Sequence, residues 1–416
     1  MQIALALQVR FRQKSLPALE SAPQAVTLQH KEDVMEFMFV ASTFLQFGCG
    51  ISRQLGDMLA ASGMNRVMLI CDKGVKAAGL VDQVAGNLKK AGIDYREYDK
   101  VLPNPPDYQV QEAAELARDF KSDALVSIGG GSPMDTAKAV NILLSNPSPI
   151  NAYDGMNLVK NPVGPHFAIP TTAGTGSEAT GVSVITDPKA KKKMVIFGSN
   201  VAPSVALVDP ELTLGLPPDI TASTGMDALT HALEAYISIF ASPVTDPLAI
   251  ESARTIMRGL RRAYRDGKDI EARSDVLLGS MLAGICFSNT CLGLAHSMAH
   301  PMGAYCNVAH GVGNAIVLPY VMEYNVPVIP PEKLTRIGQA LGLAVAGKTH
   351  EETGKAISAE LSALAAELNI PRIRDVGVPK DLIPTLARVA LDELSTQTTP
   401  RKPTAEDVQA LFEAAW

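Results

Sequence analysis

Four of the seven histidines in this 416-residue chain fall between positions 231 and 310, and an aspartate accompanies the first of them. Asp227 and His231 are four apart in Gly225-Met226-Asp227-Ala228-Leu229-Thr230-His231, a stretch with helical apolar spacing, so both side chains emerge on one helix face. One carboxylate and one imidazole placed this way can meet one ion. His296 and His300 repeat the spacing, and His310 follows beside Gly311. A lone histidine is more often a hydrogen-bonded core residue, but four with an aspartate point to a metal. Spacing does not choose three histidines from the four. By analogy with zinc-protease helices the His296/His300 pair would be the ligands.

A second chemical signal lies upstream. Ser127-Ile128-Gly129-Gly130-Gly131-Ser132-Pro133 follows an apolar run and opens a helical one, with proline near the helix start. Glycines admit a ligand to the backbone, and the free N–H groups of a helix N-terminus favour a phosphate, so the loop would seat a pyrophosphate. The bland alternative is a turn that merely tightens a strand-to-helix corner. The run is not the GxGxxG fingerprint, so an ordinary Rossmann assignment does not follow. Asp72 ends another strand-like run, where a carboxylate either takes a ribose hydroxyl or caps a helix.

The elements that must position these residues alternate. Strand-like runs at 67–70, 124–128, 167–169, 194–197 and 205–208 interleave with helical stretches at 109–120 and 133–144, which implies βα units on a parallel sheet. After Pro217-Pro218 the strand signals stop, and 221–239, 247–264, 272–287 and 357–368 carry helical spacing. With 47% hydrophobic residues the chain can fill two cores. Its net charge of −6 offers no field for a polyanion, so nucleic acid is not an expected partner. Five cysteines without CxxC pairing suit a reducing compartment, and the cytoplasm is expected. The apolar stretch 3–9 is too short to span a bilayer and follows no basic region, so neither a membrane anchor nor a secretory signal is expected. Residues 1–36, with Arg10, Arg12 and Lys14, are expected to form a disordered extension rather than a transit peptide, and Met35 is a candidate start.

Taken together, GGGSPMDTAK (129–138), IPTTAGTGSEAT (169–180), TGMDALTHALEAY (224–236) and GLAHSMAHPMGAYCNVAHGVGNAIVLP (293–319) closely resemble the iron-containing alcohol dehydrogenases, over about residues 37–416. The resemblance implies an α/β dinucleotide-binding domain at 37–217, a parallel sheet with helices, followed by an all-helical metal-binding domain at 218–416. It makes Asp227, His231, His296 and His310 the metal ligands, and His300 the catalytic histidine facing the nicotinamide. It assigns Gly130, Gly131 and Ser132 to the pyrophosphate, with Asp135 one turn into the following helix. Asp72, Asn104, Thr171, Thr172, Thr175 and Lys193 match further cofactor contacts. Two departures stand out. The extension has no counterpart, and the usual Asn-Pro-Arg near the C-terminus reads Thr399-Pro400-Arg401.

The implied reaction moves a hydride between a primary alcohol, or aldehyde, and NAD, with the ion polarising the substrate oxygen and His300 relaying the proton. Asp72 disfavours NADP by opposing its 2′-phosphate. Fe(II) is expected through the family, while the donor set also admits Zn(II), Mn(II), Ni(II) or Co(II). A homo-oligomer is implied by the resemblance too. Two other readings are a dehydroquinate-synthase-like or glycerol-dehydrogenase-like enzyme on the same fold and a non-catalytic metal-binding protein. The synthase type calls for a cluster of Lys and Arg, which is not evident around residues 224 to 310. Val182 and Ser183 lie near where the family builds its substrate pocket, and their small size leaves the alcohol open.

Overall fold

The computed structural model describes residues 36–190 and 192–416, so all but the last position of the expected extension lies outside the described residues. The chain divides into two compact units. The first runs up to Thr171 and resumes at Ser177–Leu212; the second takes Thr172–Gly176 and Thr213–Trp416.

In the first unit, strands and helices alternate as β1 (Phe44–Phe47), α1 (Leu55–Ala61), β2 (Arg66–Asp72), α2 (Lys73–Ala77), α3 (Leu80–Lys90), β3 (Asp94–Val101), α4 (Asp107–Phe120), β4 (Ala124–Gly129) and α5 (Gly131–Ser145). They continue as β5 (Gly155–Met156), β6 (His166–Pro170), β7 (Val182–Asp187), β8 (Lys192–Phe197) and β9 (Val205–Val208). Six strands form one parallel sheet in the order β1-β9-β6-β4-β2-β3. Side chains along a strand alternate between faces, and both faces are buried. Met68 and Ile70 of β2 enter one core with Val110 and Val140, while Val67, Leu69 and Cys71 enter another with Leu55, Val84 and Leu88. The order reverses at β2, since β3 adds on one side of it and β4 on the other. Such a reversal leaves the carboxyl ends of β2 and β4 open to a ligand.

The run at 194–197 differs from the expected parallel arrangement. It belongs to β8 of a separate sheet, β5-β8-β7, antiparallel to β7. Only residues 188–191 connect the two strands, far too few for the crossover that a parallel pair needs.

The second unit is helical: α6 (Pro218–Ile237), α7 (Thr245–Arg265), α8 (Ile270–Thr290), α9 (Leu294–Cys306), α10 (His310–Asn325), α11 (Pro331–Ala340), α12 (His350–Glu367), α13 (Ile383–Asp392) and α14 (Ala405–Ala415), with no strand among the described residues after β9. Met298 and Met302 of α9, Val317 of α10, Leu386 of α13 and Phe412 of α14 share one buried cluster. Among the described residues no single helix is long and apolar enough to cross a membrane.

Candidate metal centre and cofactor loop

Helix α6 is buried along most of its length, and it carries Asp227 and His231 on one face. Across from it, α9 presents His296 and the first turn of α10 presents His310. One ligand atom from each of the four residues lies within 4.8 Å of the other three. His296 Nε2 is 3.8 Å from Asp227 Oδ1, and His310 Nε2 is 3.7 Å from the same oxygen. A tetrahedral ion with bonds of ~2.1 Å has ligand edges of roughly 3.4 Å, so the edges from Asp227 to His296 and His310 exceed it by only a few tenths of an ångström.

The electrostatics agree. His296 is wholly buried, its Nε2 has no hydrogen-bond partner, and burial pulls its pKa well below the usual imidazole range. A buried nitrogen left bare in this way is costly unless something accepts its lone pair. Burial works to raise the Asp227 carboxyl, but His231, His310 and His296 outweigh it and hold the group below its ordinary value. Three imidazoles and one carboxylate, ionised and inward-facing, fit a divalent ion.

His300 stands apart from the four. Its Nδ1 pairs with Glu393 Oε2 at 3.0 Å, its ring stacks on His310 at 5.4 Å, and its side chain is about a fifth exposed. Spacing left the His296/His300 pair open as joint ligands. The fold brings His296 to Asp227 and gives His300 a carboxylate on another element.

The surroundings of the ligand atoms were not anticipated. His231 Nδ1 lies 3.2 Å from Gly174 O, and Asn314 Nδ2 donates to Asp227 Oδ1 at 2.7 Å. His296 Nδ1 pairs with Glu234 Oε2 at 2.5 Å. Burial pushes the Glu234 carboxyl upward, while the N–H groups of Ala295 and Gly293 work to hold it ionised. A sequence signal existed for two of these residues. Glu234 continues the Asp227/His231 stripe at i+7, and Asn314 is i+4 from His310. Glu393 had none, being 93 positions from its partner.

In the first unit the carboxyl ends of three neighbouring strands gather Asp72, Gly129 to Ser132 and Thr171. Gly130 is the N-cap of α5, so no N-cap side chain takes up that helix's first N–H groups. Thr171 N donates to Gly129 O at 2.9 Å and fixes the loop. Asp72 Oδ1 accepts from Val75 N at 2.9 Å, capping α2.

Other expected cofactor residues have mixed surroundings. Asp135 has its oxygens engaged by Ser177 Oγ and Val184 N, so it ties α5 to β7. Lys138, fully buried, donates to Ser177 Oγ, Thr180 Oγ1 and Val182 O, and burial brings it down to about 8. Asn104 is exposed with φ of 52°, and its carbonyl accepts from Thr186 Oγ1. Lys193 lies in β8 opposite Thr186, while Thr172 and Thr175 sit in the segment that joins the helical unit. Ser183 is wholly buried with its hydroxyl on Asp135 O, so its size is no gauge of a substrate. Residues 224 to 310 do hold basic side chains, most of them on α7. Arg254, Arg258, Arg261 and Arg262 each pair with acids there or on neighbouring elements, which removes them as a cluster for a substrate phosphate.

Comparison with known proteins gives the same picture for both halves. Residues 42–210 match the family described as iron-containing alcohol dehydrogenase, and 221–416 match its C-terminal counterpart. Lactaldehyde reductase of Escherichia coli (strain K12) is 40% identical over 373 residues, covering 89% of this chain and 97% of that protein. NAD-dependent methanol dehydrogenase of Bacillus methanolicus is 38% identical over 88% of this chain and 97% of its own length. A crystal structure of 1,3-propanediol oxidoreductase superposes with a TM-score of 0.89 at 36% identity, covering 92% of this chain and all of that one. With both halves matched, and relatives near 40% identity along almost their entire length, the chain belongs to the iron-containing alcohol dehydrogenases.

Proposed function

We propose that this alcohol dehydrogenase interconverts a small primary alcohol or diol and its aldehyde, using NAD and a divalent ion held by Asp227, His231, His296 and His310. The observation that carries the reading is the bare, buried His296 Nε2 aimed at the same oxygen as His310 Nε2. When bound, the ion supplies Lewis acidity to a substrate oxygen and the nicotinamide carries the hydride. Asp227 contributes the anionic ligand, held in place by Asn314, and the three imidazoles contribute neutral nitrogen. His300 is the group assigned to the alcohol's proton. Its Nδ1 is engaged by Glu393, which leaves Nε2 to take a proton, and partial exposure gives that proton a way out.

For the cofactor, Gly130, Gly131 and Ser132 offer backbone N–H groups to the pyrophosphate at the start of α5. Asp72 takes the ribose hydroxyls, and Asn104, Thr171, Thr172, Thr175 and Lys193 complete the contacts. NAD is assigned over NADP through Asp72. Two similar proteins, a methanol dehydrogenase named as NAD-dependent and a sulfoacetaldehyde reductase solved in complex with NAD+, support it. Iron is assigned through the family. Relatives named for lactaldehyde, 1,3-propanediol and methanol support a short substrate. We also assign the protein to the cytoplasm, supported by five free thiols, and to a homo-oligomer on the family resemblance.

The test is release of reduced nicotinamide from NAD across a panel of primary alcohols and diols, before and after chelation and with Fe(II) restored. Turnover that vanishes on chelation and returns with metal is expected. A folded, metal-loaded protein that oxidises none of the panel would overturn the reading, and a synthase-like enzyme would release no reduced nicotinamide.

A further inference from the structure

Glu234 is a wholly buried carboxylate one turn beyond His231 on α6, and among the described residues neither of its oxygens meets a lysine or an arginine. Instead Oε1 accepts from Ala295 N at 2.6 Å, while Oε2 accepts from Gly293 N at 3.0 Å and lies 2.5 Å from His296 Nδ1. Gly293 is the N-cap of α9. A carboxylate at a helix N-terminus is favoured by the unsatisfied N–H groups and the dipole there. The approach is close enough that a Cβ at Gly293 would stand 2.8 Å from Glu234 Oε1.

With both oxygens already accepting backbone N–H groups, Glu234 acts toward His296 as an acceptor, so Nδ1–H is the donor. That choice of tautomer puts the imidazole's lone pair on Nε2, the atom left bare and facing Asp227. It also fixes the ring in rotation, because a flipped ring would lose the Nδ1 hydrogen bond. His231 has only a backbone carbonyl, Gly174 O at 3.2 Å, in the equivalent place.

We propose that Glu234 is a positioning residue for the metal centre, locking His296 as an Nε2-presenting ligand and thereby setting how tightly the ion is held. The inference rests on the reading that Asp227, His231, His296 and His310 hold the ion. Carboxylates that orient ligating histidines are worth about 10- to 100-fold in metal affinity in other metal sites.

The experiment uses metal-free full-length protein and Co(II) as the probe, its affinity measured by competition with a chromophoric chelator. His296→Ala tests the underlying reading: if it keeps wild-type Co(II) affinity, the ligand assignment fails, whatever Glu234 does. Glu234→Gln keeps the shape and one acceptor oxygen but removes the charge. The expected result is Co(II) binding to the folded protein weakened about 10- to 100-fold, beyond any loss of melting temperature from the side-chain NH2 that now faces a backbone N–H. A merely structural Glu234 predicts a lower melting temperature with wild-type affinity in the folded fraction, and that outcome overturns the proposal. Should Glu234→Gln fail to fold, long-range ¹⁵N–¹H spectra of the histidines in the metal-free wild type decide. His296 protonated on Nδ1 supports the proposal, and His296 protonated on Nε2 refutes it.

Discussion

Replacing Gly311 by alanine should loosen the metal centre without touching any ligand atom. A Cβ built at Gly311 stands 2.3 Å from Ser223 O and 3.3 Å from Asp227 Cβ, so the first turn of α10 rests directly on the backbone of α6. Reaching an ordinary contact of 3.4 Å requires a separation larger by 3.4 − 2.3 Å, about 1 Å. The neighbour is helical backbone rather than a flexible side chain, and overpacking of this kind costs about 1–3 kcal/mol. The opposing gain in helix propensity, up to about 1 kcal/mol for glycine to alanine, does not cover it. Because His310 is adjacent, the same 1 Å moves its Nε2 relative to Asp227 Oδ1, now 3.7 Å away. Metal–ligand bonds tolerate only ~0.2 Å, so about five times the tolerance is being asked of the site. We expect Co(II) or Zn(II) affinity, measured by competition with a chelator, to fall at least about 100-fold, or roughly 2.7 kcal/mol. Gly215→Ala serves as the control, since a Cβ there meets nothing within 4 Å. Wild-type metal affinity and melting temperature in Gly311→Ala would refute the reasoning, because α10 would then have absorbed the contact without moving His310.

Three further outcomes are expected. His296→Ala and His310→Ala should lose bound metal by elemental analysis, whereas His300→Ala should retain it and lose turnover; a metal-free His300→Ala would reverse the assignment. Gly131→Val should weaken nicotinamide binding in titrations far more than it lowers the melting temperature, because a branched side chain would stand at the N-terminus of α5, and equal cofactor affinity would leave the loop only a turn. Asp72→Gly should raise the NADP-to-NAD ratio of kcat/KM by at least about tenfold, or roughly 1.4 kcal/mol. The cap lost at α2 costs only a few tenths of a kcal/mol with glycine there, so folding should survive, and an unchanged ratio would leave Asp72 with its capping role alone.

Much of the fold was legible because buried parallel strands are short apolar runs and amphipathic helices repeat every three to four residues. β2, β4, β6 and β9 read this way, as did α6, α7 and α8. What escaped was what lies at an edge or depends on a distant partner. β3 is an edge strand reading Asp94-Tyr95-Arg96-Glu97-Tyr98-Asp99-Lys100-Val101, whose alternating charges face solvent and mimic a loop. Of the antiparallel pair only β8 was legible as a strand; β7 went unread, and their pairing rests on the shortness of the connection. Segment Thr172–Gly176 belongs with the helices through contacts such as His231 with Gly174, 57 positions apart, which no local pattern records.

The sequence by itself determined the ingredients: a glycine loop opening a helix, and an aspartate and histidine on one helix face with three more histidines downstream. These are local facts, set by residue type and by helical and strand periodicity. Only the tertiary structure decided which histidine turns to Asp227 and which to Glu393, since His296 and His300 share one helix and the same spacing rule. It also decided that Glu234 meets His296 across 62 positions, that Asn314 steadies Asp227, and that Lys138 is spent on holding the 177–182 segment. Hydrogen bonds and ligand geometry are fixed to within a few tenths of an ångström by packing. A linear pattern carries no information at that scale about residues so far apart along the chain.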